Sequence, residues 1–140
     1  MTQSDPSALH LEWRTLQHDH EGHEKVAFAC KLLAVVLTAQ FTFFALPLVL
    51  TVPLLLCVWV VEAMVRTVQG RLGARIARLE QLIADGAPDS AAGQLHSEWL
   101  AGRSGALRLL REYGASALKP TVIFPYPVLL VLLAWLAMPA

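Results

Sequence analysis

The chain alternates long apolar runs with polar stretches, and the first run is too long for the core helix of a globular domain. From Val26 to Val65 it continues for 40 residues with only two charges, Lys31 and Glu62. One straight helix of that length would reach roughly 60 Å, about twice the hydrocarbon thickness of a bilayer. The run must therefore fold back. Pro47 and Pro53 flank its middle, and proline disfavours helix interiors while suiting a first turn. The pattern predicts a helical hairpin with a first span near 26–46, a tight turn near 47–50 and a second span near 50–68. A third apolar run, Thr121 to Ala140, carries no charge. Pro125 and Pro127 at its front place the start of its regular helix near Pro127. Extended residues before it would complete a third span; the alternative is a segment that enters the interface without crossing.

Apolar positions continue beyond the second span at Val61, Val65, Val68, Leu72, Ile76, Leu79 and Ile83. Steps of three and four make this a helical stripe with one stutter. The helix should stop at Asp85-Gly86-Ala87-Pro88, where glycine caps and proline blocks continuation. It would then project roughly 25 Å past the membrane. Gly70 and Gly73 weaken it by about 1 kcal/mol each and permit close approach of another helix. Two readings fit the stripe. It packs on the chain's own helices, or Val65, Val68, Leu72, Ile76, Leu79 and Ile83 form an assembly surface.

Asp89 and Ser90 are candidate N-caps for the next helical piece. Leu95, Trp99 and Leu100 predict one short amphipathic helix, and Leu107, Leu109, Leu110 and Tyr113 another, separated at Gly102 and Gly105. Arg103, Arg108 and Arg111 suit lipid phosphates, with the apolar side on the interface; packing against the stripe accounts for the same residues. Ahead of the hairpin, Ala8, Leu11 and Leu16 give the N-terminal segment an apolar side, with Trp13 as a candidate membrane-surface anchor. The resulting division is an amphipathic cytoplasmic segment at 1–25, a transmembrane hairpin at 26–68, a cytoplasmic helical region at 69–120 and a C-terminal transmembrane segment at 121–140.

Composition supports an integral membrane protein. Hydrophobic residues make up 56% and charged residues 16%, against roughly 25% charged in a soluble domain. Mean hydropathy is +0.52. The formal net charge of zero argues against a nucleic-acid partner with a broad basic surface to bind. The first 26 residues hold five acidic groups and four histidines, unlike a cleavable signal peptide, and no lipidation signal is expected. Eight of the eleven Lys and Arg residues lie between Arg66 and Lys119, while the hairpin turn has none. The positive-inside rule then puts the N-terminus and 66–120 in the cytoplasm, with the hairpin tip and C-terminus on the other side. Phe41, Phe43 and Phe44 would lie near that far interface.

Lys31 and Glu62 are equally distant from the turn beside Pro47, so a hairpin brings them to one depth. An intramembrane charge usually finds a partner. A structural ion pair is the first reading, and an ion or proton pathway the second. Gln40, with Thr38, Thr42 and Thr51, supplies the other polar side chains available to neighbouring helices or to a pore. Outside the spans, His18-Asp19-His20-Glu21-Gly22-His23-Glu24 is the most chemically loaded stretch. On a helix His20, His23 and Glu24 share a face, and that donor set can hold zinc or nickel or respond to pH. The spacing falls one residue short of HExxH, and solvated histidines are the plain alternative, so no firm metal site is assigned. Cys30 and Cys57 form no CxxC pair and act as small apolar residues. The sequence contains no P-loop, GxSxG or GxGxxG, and no transporter-type repeat. No enzyme activity and no cofactor are expected.

Several stretches together carry a resemblance. They are Leu11-Glu12-Trp13 with Leu16-Gln17, Glu24, Lys31-Leu32-Leu33-Ala34-Val35-Val36, Trp59-Val60-Val61-Glu62-Ala63 and Arg66-Thr67-Val68-Gln69, followed by Arg71, Arg75 and Glu80. Over roughly residues 11–83 the chain resembles small uncharacterised inner-membrane proteins of gamma-proteobacteria. That resemblance implies a bacterial inner-membrane protein and brings no activity. The layout is also similar, in architecture only, to two-span effector modules of bacterial defence systems. The leading expectation is a non-enzymatic scaffold or accessory subunit, assembling as a homo-oligomer or with a membrane-protein partner through its cytoplasmic helix. A channel-like oligomer and a metal- or pH-responsive protein are the alternatives.

Overall fold

The structure, a computed structural model, describes residues 7–44, 46–102 and 105–138. It is all-α, with no strand among the described residues. Two long helices dominate, α1 (Ala8–Phe44) and α2 (Leu48–Ala84), joined beside Leu46 and Pro47. A 3-10 turn follows at Asp89–Ala91, then α3 (Leu95–Gly102), α4 (Gly105–Ala117), the single-turn α5 (Pro120–Ile123) and α6 (Tyr126–Leu136). By length and hydropathy α1 and α2 each qualify as a membrane-crossing helix.

The helices are antiparallel and in contact along most of their length. Trp13 meets Glu80, Glu12 meets Arg75, Glu24 meets Arg66 and Lys31 meets Glu62. α1 is unbroken from Ala8 to Phe44, whereas polarity alone suggests a separate segment before residue 26. Helical geometry depends on backbone hydrogen bonding rather than side-chain polarity, and the polar turns of α1 are supported by α2 beside them. Trp13 lies on this continuation, roughly 20 Å from Val26, where it packs against the cluster of Leu72, Ile76 and Leu79 and donates to Glu80 Oε1 at 3.1 Å.

α2 ends as its sequence predicts. The Asp85 and Gly86 amides return to Gln81 and Ile83 carbonyls, and Gly86 takes the left-handed φ of 66° that closes the helix. Pro53 lies inside α2 rather than in its first turn. Asp89 and Ser90 belong to the 3-10 turn, which has no side-chain cap. The third apolar run also differs from expectation. In place of extended residues ahead of one helix, it has α5, then α6 beginning at Tyr126. The axes of Gly105–Ala117 and Pro120–Leu136 differ by 68°. α6 packs against both long helices, and Leu136 reaches a recess also lined by Phe41, Leu46 and Pro47.

Burial divides the molecule into two zones. At the end holding both α1's start and α2's finish, Leu9 and Leu16 of α1 cover Leu72, Ile76 and Leu79 of α2. Large apolar side chains are inside there, as in a soluble bundle, together with the paired Arg75. Toward the Pro47 turn the pattern inverts. The α1 side chains facing inward are small, Ala27, Cys30, Ala34 and Thr38, while Phe28, Leu32, Leu33 and Val36 are exposed. Small residues at a helix contact with bulky apolar residues outside is the arrangement of helices packed in lipid.

Candidate functional site

The most concentrated chemistry in the inverted zone lies where α1, α2 and the 120–126 segment meet. Glu62 is fully buried on α2. Lys31 Nζ stands 2.8 Å from its Oε1, and the Tyr126 hydroxyl donates to its Oε2 at 2.8 Å. The Lys31 ammonium also donates to the carbonyls of Thr121 at 2.8 Å and Phe124 at 2.7 Å. Those carbonyls lie at the start of α5 and just past its end. The ammonium further lies 5.9 Å from the Tyr126 ring centroid, within reach of a cation–π attraction. Tyr126 stacks on Trp59 at 5.6 Å, and Trp59 Nε1 donates to the Ala117 carbonyl at 3.2 Å. Burying a carboxylate in an apolar layer is strongly unfavourable unless charge and hydrogen bonds compensate. Here Tyr126 donates to Oε2, while Oε1 has the Lys31 charge beside it and no hydrogen bond.

The structure thus brings Lys31 and Glu62 together, as counting from the Pro47 turn requires. It adds Tyr126, Thr121 and Phe124, which the sequence did not single out. The available signal was a lone tyrosine between Pro125 and Pro127 in an otherwise apolar run. Nothing in the pattern fixed its depth. The threonines expected to serve a neighbour or a pore serve their own helices instead. Thr38 donates to the Ala34 carbonyl, Thr42 to Thr38 and Thr51 to Pro47.

Above this cluster a second polar layer crosses the helix pair. Glu24 accepts from Arg66 and Gln69, both at 2.8 Å, and these bonds hold its carboxyl below the usual range. The Gln69 amide also donates to the His20 carbonyl, and a methyl group at Gly73 would meet the His20 ring at 3.7 Å. Gly73 therefore receives a side chain of α1, while Gly70 has nothing close. The donor face proposed for zinc or nickel is not assembled. Glu24 is turned to Arg66 and Gln69, His23 Nδ1 pairs with the Asp19 carbonyl at 2.7 Å, and no group of three potential ligands converges among the described residues.

Farther along, Arg75 is nearly inaccessible and holds three elements together. It donates to both Glu12 oxygens at 3.0 and 3.1 Å, to Glu98 at 2.8 Å and to the Ala91 carbonyl at 3.0 Å. Burial pushes the Glu12 carboxyl up. The Arg75 hydrogen bonds, the Gly93 amide and the Arg75 charge outweigh it, leaving the carboxyl below its ordinary value. A cavity of about 300 Å³ opens beside this knot, among α2, α3 and α4. Its Arg71 and Arg108 share Glu112, each at 3.3 Å, and Arg71 also covers the Trp99 ring.

The predicted assembly residues separate into two groups. Leu72, Ile76 and Leu79 are sealed by α1, which corrects their reading as an assembly surface: the amphipathic start of α1 supplies the apolar partner. Ile83 packs at the margin of that cluster, whereas Val65 is half-buried and Val68 exposed. Val68 continues an exposed line with Val61 and Met64. Arg103 lies outside the described residues.

Comparison with protein-family models, with curated proteins and with solved structures gives no match.

Proposed function

We propose that this chain is an integral protein of the bacterial inner membrane that acts as a non-enzymatic scaffold or accessory subunit. In this reading 26–68 is a transmembrane hairpin and 120–136 a third span, clamped at the level of Lys31, Glu62 and Tyr126. The N-terminus and the 69–120 region face the cytoplasm, and the C-terminus faces the periplasm. The observation that carries the reading is the outer surface of the hairpin: Phe28, Leu32, Leu33, Val36, Val49 and Val60 are exposed, while the inward face of α1 is small and Glu62 is buried. Internal satisfaction of the polar groups favours a structural bundle over a conducting one. The Glu62 carboxylate and the hydroxyls of Thr38, Thr42 and Thr51 are used within the chain, which leaves Gln40 as the strongly polar side chain of the first span open to a neighbour among the described residues.

Contact with a partner falls to the accessible part of the α2 stripe. Val61, Met64 and Val68 recur at steps of three and four on α2 and remain exposed at the level where charges begin. A homo-oligomer or a membrane-protein partner would cover them, as expected for small-to-medium apolar side chains on a lipid-facing helix. Purification in mild detergent with native-mass measurement tests the proposal. A defined oligomer or a stoichiometric second protein, lost in Val68→Arg while the protein still inserts, is the expected result. A lone monomer from membranes, indistinguishable from the variant, would overturn it.

A further inference from the structure

α4 presents an apolar surface that the protein leaves uncovered. Its inner side is used: Ser116 accepts from Thr67 at 2.9 Å, and Glu112 faces Arg71. On its other side Leu107 is 85% exposed and Leu110 66%, and Leu118, just past its end, is 67% exposed. These leucines lie in the charged half of the molecule, where Leu9, Leu16, Leu72, Ile76 and Leu79 are buried, and they are more exposed than Leu11 and Leu100 of the same half. The stretch 105–120 carries Arg108, Arg111 and Lys119 against one acid, Glu112. That acid is turned toward α2. Arg111 and Lys119 are exposed beside the leucines.

The direction of α4 adds a second, geometric observation. It leads into Leu118 and Lys119, and Trp59 holds the Ala117 carbonyl, so its C-terminal end sits at the margin of the apolar layer. Its axis departs by 68° from that of 120–136. On α2 the successive contacts Glu112–Arg71 and Ser116–Thr67 run toward the apolar layer, so α4 descends along α2 to the membrane boundary. An amphipathic helix at that boundary sets leucines against acyl chains and cations among headgroups.

We infer that α4 is an interfacial helix docked on the anionic lipid of the cytoplasmic leaflet, with Leu107, Leu110 and Leu118 as its apolar contacts and Arg111 and Lys119 facing the phosphates. The inference rests on the membrane reading above. Charge complementarity selects lipid over a second copy, since another α4 would bring the same cations face to face.

The test uses the full chain with Cys30→Ala and Cys57→Ala, reconstituted in bilayer discs of phosphatidylcholine with or without phosphatidylglycerol. A nitroxide on Leu110→Cys is probed with oxygen, which collects in lipid, and with a nickel chelate, which stays in water. Oxygen should dominate in the anionic discs. Arg111→Ala and Lys119→Ala should each shift the docked-to-undocked ratio toward water by roughly fivefold. Dominance of the nickel chelate in anionic discs would overturn the inference, as would exclusion of both probes, the mark of a protein covering the face. A nitroxide on Val60→Cys separates this from failure of the membrane reading. Oxygen must dominate there; nickel dominance at residue 60 would overturn that reading and this inference with it.

Discussion

The Tyr126 hydroxyl and Glu62 Oε2 are 2.8 Å apart, although 64 positions separate the residues. That bond joins the C-terminal helix to the centre of α2. Its acceptor is an inaccessible carboxylate, so it is of the charge-assisted kind, roughly twice as strong as a neutral hydrogen bond. The same carboxylate receives Lys31 from α1, and Lys31 holds the carbonyls around α5. α1 and α6 therefore meet on one side chain of α2, and α5 is held through Lys31.

Removing the hydroxyl alone should loosen the C-terminal helix. Tyr126→Phe keeps the ring stacked on Trp59 but leaves Glu62 Oε2 without its donor. The expected loss is on the order of 2 kcal/mol, read from unfolding in detergent by titration with dodecyl sulfate. A variant as stable as the parent would show that the bond contributes nothing.

Lys31 and Glu62 should behave as a unit. Lys31→Ala leaves a buried carboxylate without its cation, at a cost of about 3 kcal/mol or more. Lys31→Ala with Glu62→Ala removes both charges and should be less destabilised than Lys31→Ala alone. Strict additivity of the single changes in the same titration would contradict pairing.

Leu72 distinguishes internal packing from assembly. It is buried against Leu9 and Leu16, so Leu72→Glu should open the contact between the start of α1 and the end of α2. Limited proteolysis near Leu16 should accelerate strongly, with a stability loss of about 3 kcal/mol or more. Val68→Arg, on the exposed side, should leave proteolysis unchanged. Equal resistance of Leu72→Glu and the parent would contradict the assignment.

Each sequence pattern was legible to the extent that local chemistry encodes it. The break at Pro47 and the stop at Gly86 were legible because backbone chemistry acts locally. The equal depth of Lys31 and Glu62 was legible because a tight turn makes depth a matter of counting. Tyr126 was not, because its depth depends on the bend between α4 and the last helices, and no local residue sets that angle. Periodicity at Leu72, Ile76 and Leu79 showed that something covers them. It could not say that α1 does, since the same spacing serves internal packing and assembly alike. The histidine segment was ambiguous for a related reason: spacing places His20, His23 and Glu24 on one face, but it does not show that Arg66 and Gln69 across the helix pair engage Glu24.

The carboxylates at the charged end predict an acid limit. Glu12 and Glu24 have folded-state pKa values below the ordinary 4.5. A carboxyl depressed on folding contributes stability that is fully present above its unfolded value and is lost as pH falls through the folded one. Stability should therefore begin to decline as pH drops below about 4.5 and continue downward through the folded values. Arg75→Met should remove most of the Glu12 share. The slopes of unfolding free energy against pH for parent and variant check this; identical slopes would exclude Glu12 as a contributor.

Side-specific labelling tests the three-span topology most directly. In a Cys30→Ala, Cys57→Ala background, single cysteines are placed at Ala87, beyond α2, and at Met138, beyond α6. Intact spheroplasts are treated with a membrane-impermeant maleimide. A third span predicts labelling of Met138→Cys in intact spheroplasts and of Ala87→Cys only after lysis. Labelling of both before lysis, or of both only after it, would put the two ends of the bundle on one side and contradict a third span.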